Sequence, residues 1–404
     1  MRRRGLLGVA GLALLPLPAA ADDLDVIVLG GGLAGLTAAR ALMADRKKVL
    51  VIEARDRIGG RIFTDTSLGL AFDTGAAWID PGPLAKELGG RPLPGPQAGA
   101  LVIGGKALPP DKTAEFAKGA QEIAAKFKEL REKAPLLDPA SVVKPRDQLE
   151  QLAFYELVHR TPFDMHQTLE GGIGAALARL HAKVPVKLGT RVVRVDTTRS
   201  VVEVISTAGS LQARAVIVAL PSLVVPNIGF APPLDLKRRD ALSKVVMAAQ
   251  TRIAVAFSQP VLKTPPDLWL TGITASGLPF DALLRPQNRD AAILVFNGPA
   301  ARQVDEMGPG EAGAFALTAL AEIYGKEIRA AFKGSLATRW SRDPLAQGAW
   351  CHAVPPAVAS LIKAPHQERV FFAGEATESE KAGTIEAAWV SGLRAAGEAK
   401  AMLR

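Results

Sequence analysis

The sequence predicts an α/β fold: a parallel-sheet domain of the doubly wound kind, interrupted by an inserted α+β domain. Three observations at the start of the chain carry this. Asp25-Val26-Ile27-Val28-Leu29 is a short β-branched run that reads as a buried parallel strand. Gly30-Gly31-Gly32-Leu33-Ala34-Gly35 follows at once and opens a helical stretch, Leu33 to Met43. A second run, Lys48-Val49-Leu50-Val51-Ile52, then ends in an acid, Glu53. Further along, Arg252 to Phe257 and Ala291 to Phe296 read as strands, and Lys112 to Lys133 has helical spacing. The 404 residues suffice for two domains, each with its own core.

Each part of the opening unit has a physical reason. Gly30 permits the tight turn, Gly32 lets the backbone approach a pyrophosphate, and Gly35 lets helix pack closely on strand. Leu33 and Ala34 begin the helix, whose unpaired N–H groups and positive dipole end favour phosphate. Glu53 lies 23 residues after Gly30, where an acid takes a ribose hydroxyl. The unit therefore predicts a Rossmann-like domain that binds a dinucleotide.

Composition narrows the remaining classes. Hydrophobic content of 48% and charged content of 22% are those of a soluble globular protein. The single cysteine, Cys351, excludes an internal disulfide and a cysteine-rich metal site. His159, His166, His181, His352 and His366 show no ligand spacing, so no metal is expected. The net charge of +9 is scattered, with short clusters only at Arg2-Arg3-Arg4 and Lys237-Arg238-Arg239. No aromatic-interleaved basic patch accompanies it, so no nucleic-acid partner is expected.

Residues 1–21 read as a bacterial export signal, with Arg2 to Arg4 as the charged region, Gly5 to Leu17 as the apolar region and Ala19-Ala20-Ala21 as the cleavage site. Arg3-Arg4-Gly5-Leu6-Leu7 resembles the twin-arginine pattern, which suits a protein loaded with cofactor before export. A periplasmic location follows, with no stable membrane span once the signal is removed.

Five segments resemble the flavin-containing amine oxidase family in content and order. The first is Glu53-Ala54-Arg55-Asp56-Arg57-Ile58-Gly59-Gly60-Arg61. The second is Asp73-Thr74-Gly75-Ala76-Ala77-Trp78-Ile79. The third begins at Val192-Val193-Arg194-Val195 and ends at Ala219-Leu220-Pro221. The fourth is Trp340-Ser341-Arg342-Asp343-Pro344 with Gly348-Ala349-Trp350. The fifth runs from Phe371 through Gly374-Glu375 and Gly383-Thr384-Ile385 to Ala396.

The resemblance implies FAD on a glutathione reductase-type domain of residues 22–80, 168–235 and 345–404. Residues 81–167 and 236–344 form the substrate domain, and the stretches of about 80–165 and 236–335 match the family weakly. It implies that Ala54, Arg55, Gly60 and Arg61 run along the cofactor, with Arg61 offering a cation to the diphosphate. Gly75, Ala76, Ala77 and Trp78 form a second flavin-facing loop, and the strand at Val193 touches the adenine side through its backbone. Trp340 leads the run that places Trp350 beside the flavin. Glu375, after Gly374, reaches the ribityl or phosphate region, and the helix opening at Thr384-Ile385 points at the pyrimidine edge.

Three departures from the family pattern bear on the chemistry. Relatives that bind flavin covalently use a cysteine in a Gly-Cys-aromatic run, but here Ala349 holds that place, so FAD is expected to be non-covalent. Relatives frame the amine between two aromatics; Trp350 matches one position, and the other falls on Thr384. The lysine typical of the flavin's reactive nitrogen falls on Arg252, counted back from Phe257. The leading expectation is hydride transfer from a C–N bond of a small-molecule amine or amino acid to FAD, with O2 as acceptor. A desaturase or dehydrogenase using another acceptor stays open, as does a flavin-binding accessory protein without turnover.

Overall fold

The structure is a computed structural model that describes residues 24–133, 143–158 and 167–404. The export segment, His159 and His166 lie outside the described residues. The β-branched run forms the strand Leu24–Leu29, in which Val26 to Leu29 are completely buried. It pairs in parallel with Val49–Ile52 on one side and Gly209–Val218 on the other. These strands are the middle of an eight-stranded sheet. Val370–Phe372 joins the same sheet in parallel beside Gly209–Val218, whose first half pairs antiparallel with Val202–Ser206. The observed arrangement is the α/β, Rossmann-like fold that the opening residues predict.

The first helix, Leu33–Ala44, lies against this sheet together with the last helix, Ile385–Met402. Glycines set how closely these parts approach. A Cβ on Gly35 would stand 2.0 Å from the Gly30 carbonyl oxygen, and one on Gly392 would stand 2.3 Å from that of Ala34. Neither position accepts a side chain without moving backbone, so the two helices and the turn form one tight unit.

A second, seven-stranded sheet runs in the order Phe332–Ala337, Gln250–Phe257, Ala291–Asn297, Pro279–Leu284, Leu268–Ile273, Gln97–Ile103 and Lys106–Ala107. Alternation along Gln250–Phe257 sorts its side chains. Ile253, Val255 and Phe257 join a core with the helices Gly298–Glu306 and Pro309–Tyr324. Ala254 and Ala256 join the opposite face, with Trp269, Leu283, Ile293 and Val295. Arg252 shares that second face, which is the one turned to the site.

The helix expected from Lys112 spans Pro110–Lys133 and packs on Gln148–Val158, with Phe127 and Phe154 meeting edge-on at 5.7 Å. From the second helix Tyr155 reaches the sheet, its hydroxyl 3.1 Å from Asp281 Oδ2 and 3.2 Å from the Val295 carbonyl oxygen. Among the described residues, no helix is long and apolar enough to cross a membrane.

Candidate active site

A cavity of about 320 Å³ lies between the two sheets. Gly30, Glu53, Ala219 and Gly374 line it, and each follows the carboxyl end of a parallel strand by one or two residues. Open α/β sheets bind ligands at this edge.

The turn after the first strand forms one end. Gly30, Gly32, Leu33 and Ala34 line the cavity there, and no side chain caps the first helix. Its first-turn N–H groups are the donors available to an anion. The Cβ position of Gly32 opens into free space, so backbone can touch a ligand there. Glu53 is buried; its Oε2 accepts from the Gly31 N–H at 2.7 Å and its Oε1 from the Arg55 N–H at 2.8 Å. The carboxylate therefore also holds the turn, and it lines the cavity with acceptor capacity to spare.

Ala54, Arg55, Gly60, Arg61, Gly75, Ala76, Ala77 and Trp78 follow along the wall. Arg55 pairs with Asp343 at 2.8 Å, and the Trp340 indole N–H donates to the Thr74 carbonyl at 2.9 Å. Asp73 stands behind this loop and accepts from the Ile173 and Gly174 N–H groups, capping the helix Ile173–Leu180. Burial pushes its carboxyl up, against the pull of its hydrogen bonds.

Arg61 and Glu375 differ from the sequence expectation, which gives them separate cofactor contacts. Here they pair with each other through two bonds, Nη1 to Oε1 at 2.8 Å and Nη2 to Oε2 at 2.6 Å. Glu375 Oε1 also accepts from the Cys351 N–H at 3.3 Å. Burial pushes the Glu375 carboxyl up, but the Arg61 guanidinium outweighs it and holds the group below the usual carboxylate range. Burial likewise lowers Arg61, and Glu375 more than restores it. Both residues still line the cavity, as one neutralised, bidentate unit.

The other end belongs to the second sheet. Arg252, Gln250, Trp269 and Val295 line it with Trp78 and Trp350. Four of the chain's five tryptophans border the cavity, Trp340 being the fourth. To the tryptophans that the sequence places at the flavin, Trp78, Trp340 and Trp350, the structure adds Trp269. Trp78 and Trp269 meet edge-on with centroids 6.3 Å apart. Thr384 and Ile385 line the cavity too, but the Thr384 hydroxyl is committed: it accepts from the Ala387 N–H at 3.0 Å and donates to the Lys381 carbonyl at 2.8 Å. It caps the last helix and does not stand in for an aromatic.

Two expected residues are not brought to the cavity. Gly35 acts through packing, as described above. Val193 is 47% exposed on Val192–Asp196, where the ladder shifts register between Val192 and Arg194. Several lining residues escape the sequence reading, Gln250, Trp269 and Val295 among them. Alternation back from Arg252 would have found Gln250, which lies two residues away on the same face. Among the described residues, no group of three or more His, Cys, Asp and Glu side chains could hold a metal.

This geometry defines a flavin- or nicotinamide-type dinucleotide site joined to a substrate wall, the layout of an oxidoreductase. Comparison with known proteins narrows the class. Residues 110–399 match the family described as flavin containing amine oxidoreductase, and residues 28–88 match an NAD(P)-binding Rossmann-like domain. Polyamine oxidase 2 of Arabidopsis thaliana is 25% identical, with 93% of this chain and 88% of the relative aligned. Polyamine oxidase 4 of Oryza sativa subsp. japonica is 27% identical over 93% of this chain and 88% of its own. A solved putrescine oxidase, a double mutant redesigned in cofactor binding, superimposes with a TM-score of 0.72 at 18% identity, over 93% of this chain and 99% of its own.

The chain belongs to the flavin-containing amine oxidoreductase family. It is an FAD-dependent, amine oxidase-like oxidoreductase, and the residues present fit that cofactor: uncapped helix N–H groups for the diphosphate and a buried carboxylate for a ribose hydroxyl.

Proposed function

We propose that this protein oxidises the C–N bond of an amine or amino acid in the cavity between the sheets, with O2 taking the electrons. The supporting observation is continuity. One cavity joins Gly32 and Glu53 at the cofactor end to Arg252, Trp78, Trp269 and Trp350 at the other. Bound there, FAD supplies a two-electron acceptor for the hydride that leaves the carbon beside nitrogen. The substrate also gives up a proton and becomes an imine, and O2 ends as hydrogen peroxide.

The chain supplies placement. The first-helix N–H groups hold the diphosphate, Glu53 holds a ribose hydroxyl, and the tryptophans form a dry wall that limits water at the reacting carbon. Ala349 stands where a covalent cysteine would be, and Cys351 is buried in the core behind, outside the lining. The cofactor is therefore non-covalent in this reading, and acid precipitation should release free FAD. Export through the Arg3-Arg4 pair completes the proposal. Replacing both by Lys should retain the protein in the cytoplasm, and normal export of that variant would point to the general secretory route.

The activity is tested by mixing the yellow protein anaerobically with a panel of amines and amino acids. Bleaching of the flavin by one of them, followed by recolouring and peroxide on admitting air, is the expected result. Turnover with an artificial acceptor but without peroxide would replace O2 by another acceptor. No bleaching by any donor would overturn the reading.

A further inference from the structure

We infer that the substrate carries a carboxylate, and that Arg252 is the group that binds it; this deepens the proposed amine or amino-acid oxidation and rests on it for the reaction. Arg252 is 4% exposed, and what surface it keeps opens onto cavities. Its backbone is fixed from both sides, the N–H donating to Thr338 Oγ1 and the carbonyl accepting from the Thr338 N–H, each at 2.9 Å. The guanidinium, in contrast, has no hydrogen bond and no ion pair among the described residues, and its Nε is buried without a partner. Burial lowers its pKa to about 10, with Asp73 acting the other way, so it remains a cation at neutral pH. Asp73 does not complete it, because the Asp73 carboxylate already serves Thr64 and two backbone N–H groups.

A buried cation without a partner is costly, and guanidinium matches a carboxylate with two parallel hydrogen bonds. A second donor points the same way. Trp269 Nε1 is also buried without a partner among the described residues, on the same face of the same sheet. Two unmet donors in one wall call for an acceptor.

The position of Arg252 favours a substrate acceptor over the cofactor. It comes from the second sheet, opposite the glycine turn, and it also borders a smaller adjoining cavity. That cavity shares Ala77, Trp78 and Arg252 with the main one but contains no residue of the turn. The Trp78–Trp269 edge contact supplies an apolar flank beside the cation. The best fit is an amino acid with an apolar or aromatic side chain, and the poorest is a polyamine.

The test uses the FAD-loaded protein and a carboxylate that cannot be oxidised. 3-Phenylpropanoate should perturb the absorbance of the oxidised flavin on titration, and 3-phenylpropanamide should do so only weakly. Arg252→Met should weaken the carboxylate by about tenfold or more. Arg252→Lys should retain part of the affinity, and FAD content should be the same in all three proteins. No perturbation in the wild-type protein, or equal carboxylate affinity in Arg252→Met, would overturn the inference.

Anaerobic reduction by phenylalanine and by phenethylamine separates this from the activity. Reduction by the amine alone, with no dependence on a carboxylate, removes the inference and leaves amine oxidation standing. Arg252-dependent carboxylate binding without reduction by any donor supports the inference and removes the proposed oxidation.

Discussion

Two arginines line the same cavity and are held in opposite ways. Arg61, on the cofactor side, is bonded twice to Glu375 across 314 residues of sequence. Arg252, on the substrate side, is more deeply buried and has no ion-pair partner among the described residues. A buried cation with a fitted counter-ion is part of the scaffold. A buried cation without one is a cost that folding alone does not explain, and a bound anion would offset it. The difference separates residues that hold the site together from a residue kept for what enters it.

The largest effect should come from breaking the satisfied pair. Arg61→Met leaves the Glu375 carboxylate buried without its partner, and should lower unfolding stability by about 3–5 kcal/mol. Denaturant unfolding of the FAD-loaded protein checks this, and FAD retention should fall with it. Arg252→Met should act with the opposite sign. Its folded pKa of about 10 lies below that of a free guanidinium, so the charge penalises folding at every pH below about 10. Removing it should stabilise the protein at neutral pH by on the order of 1–3 kcal/mol. Equal destabilisation by the two substitutions would erase the distinction.

A smaller effect should appear in acid. Glu375 is held below the usual carboxylate range, so its contribution is present above the unfolded value of about 4.3. It should be lost as pH falls through the lower folded value. Unfolding curves from neutral pH into acid should show this extra loss in the wild-type protein and not in Glu375→Gln.

The same contrast shows what the sequence could reveal. The strand–turn–helix unit was legible because its signals are local: a β-branched run, spaced glycines and an acid at the next strand end. Arg252 was reached through the family resemblance, by the count back from Phe257, and the strand's alternation puts Ile253, Val255 and Phe257 on the opposite face. Pairing across the fold was not legible. Arg61 and Glu375 each sit in a recognisable motif, and each motif suggests a cofactor contact of its own. Nothing near either residue says that they meet. Thr384, which holds the position of the second cage aromatic, is the N-cap of the last helix, as a threonine that opens a helix is by its own chemistry. Trp269 lies outside the five segments that carry the sequence resemblance, and only the sheet brings it to Trp78.

The claim that Arg252 is held open for an anion is tested most directly by ligand stabilisation. At one hundred times its dissociation constant, 3-phenylpropanoate should stabilise the FAD-loaded protein by about 2.7 kcal/mol. The midpoint of thermal unfolding should rise accordingly in the wild-type protein and stay nearly fixed, at the same ligand concentration, in Arg252→Met. An equal rise in both proteins, or none in the wild type, would contradict the account.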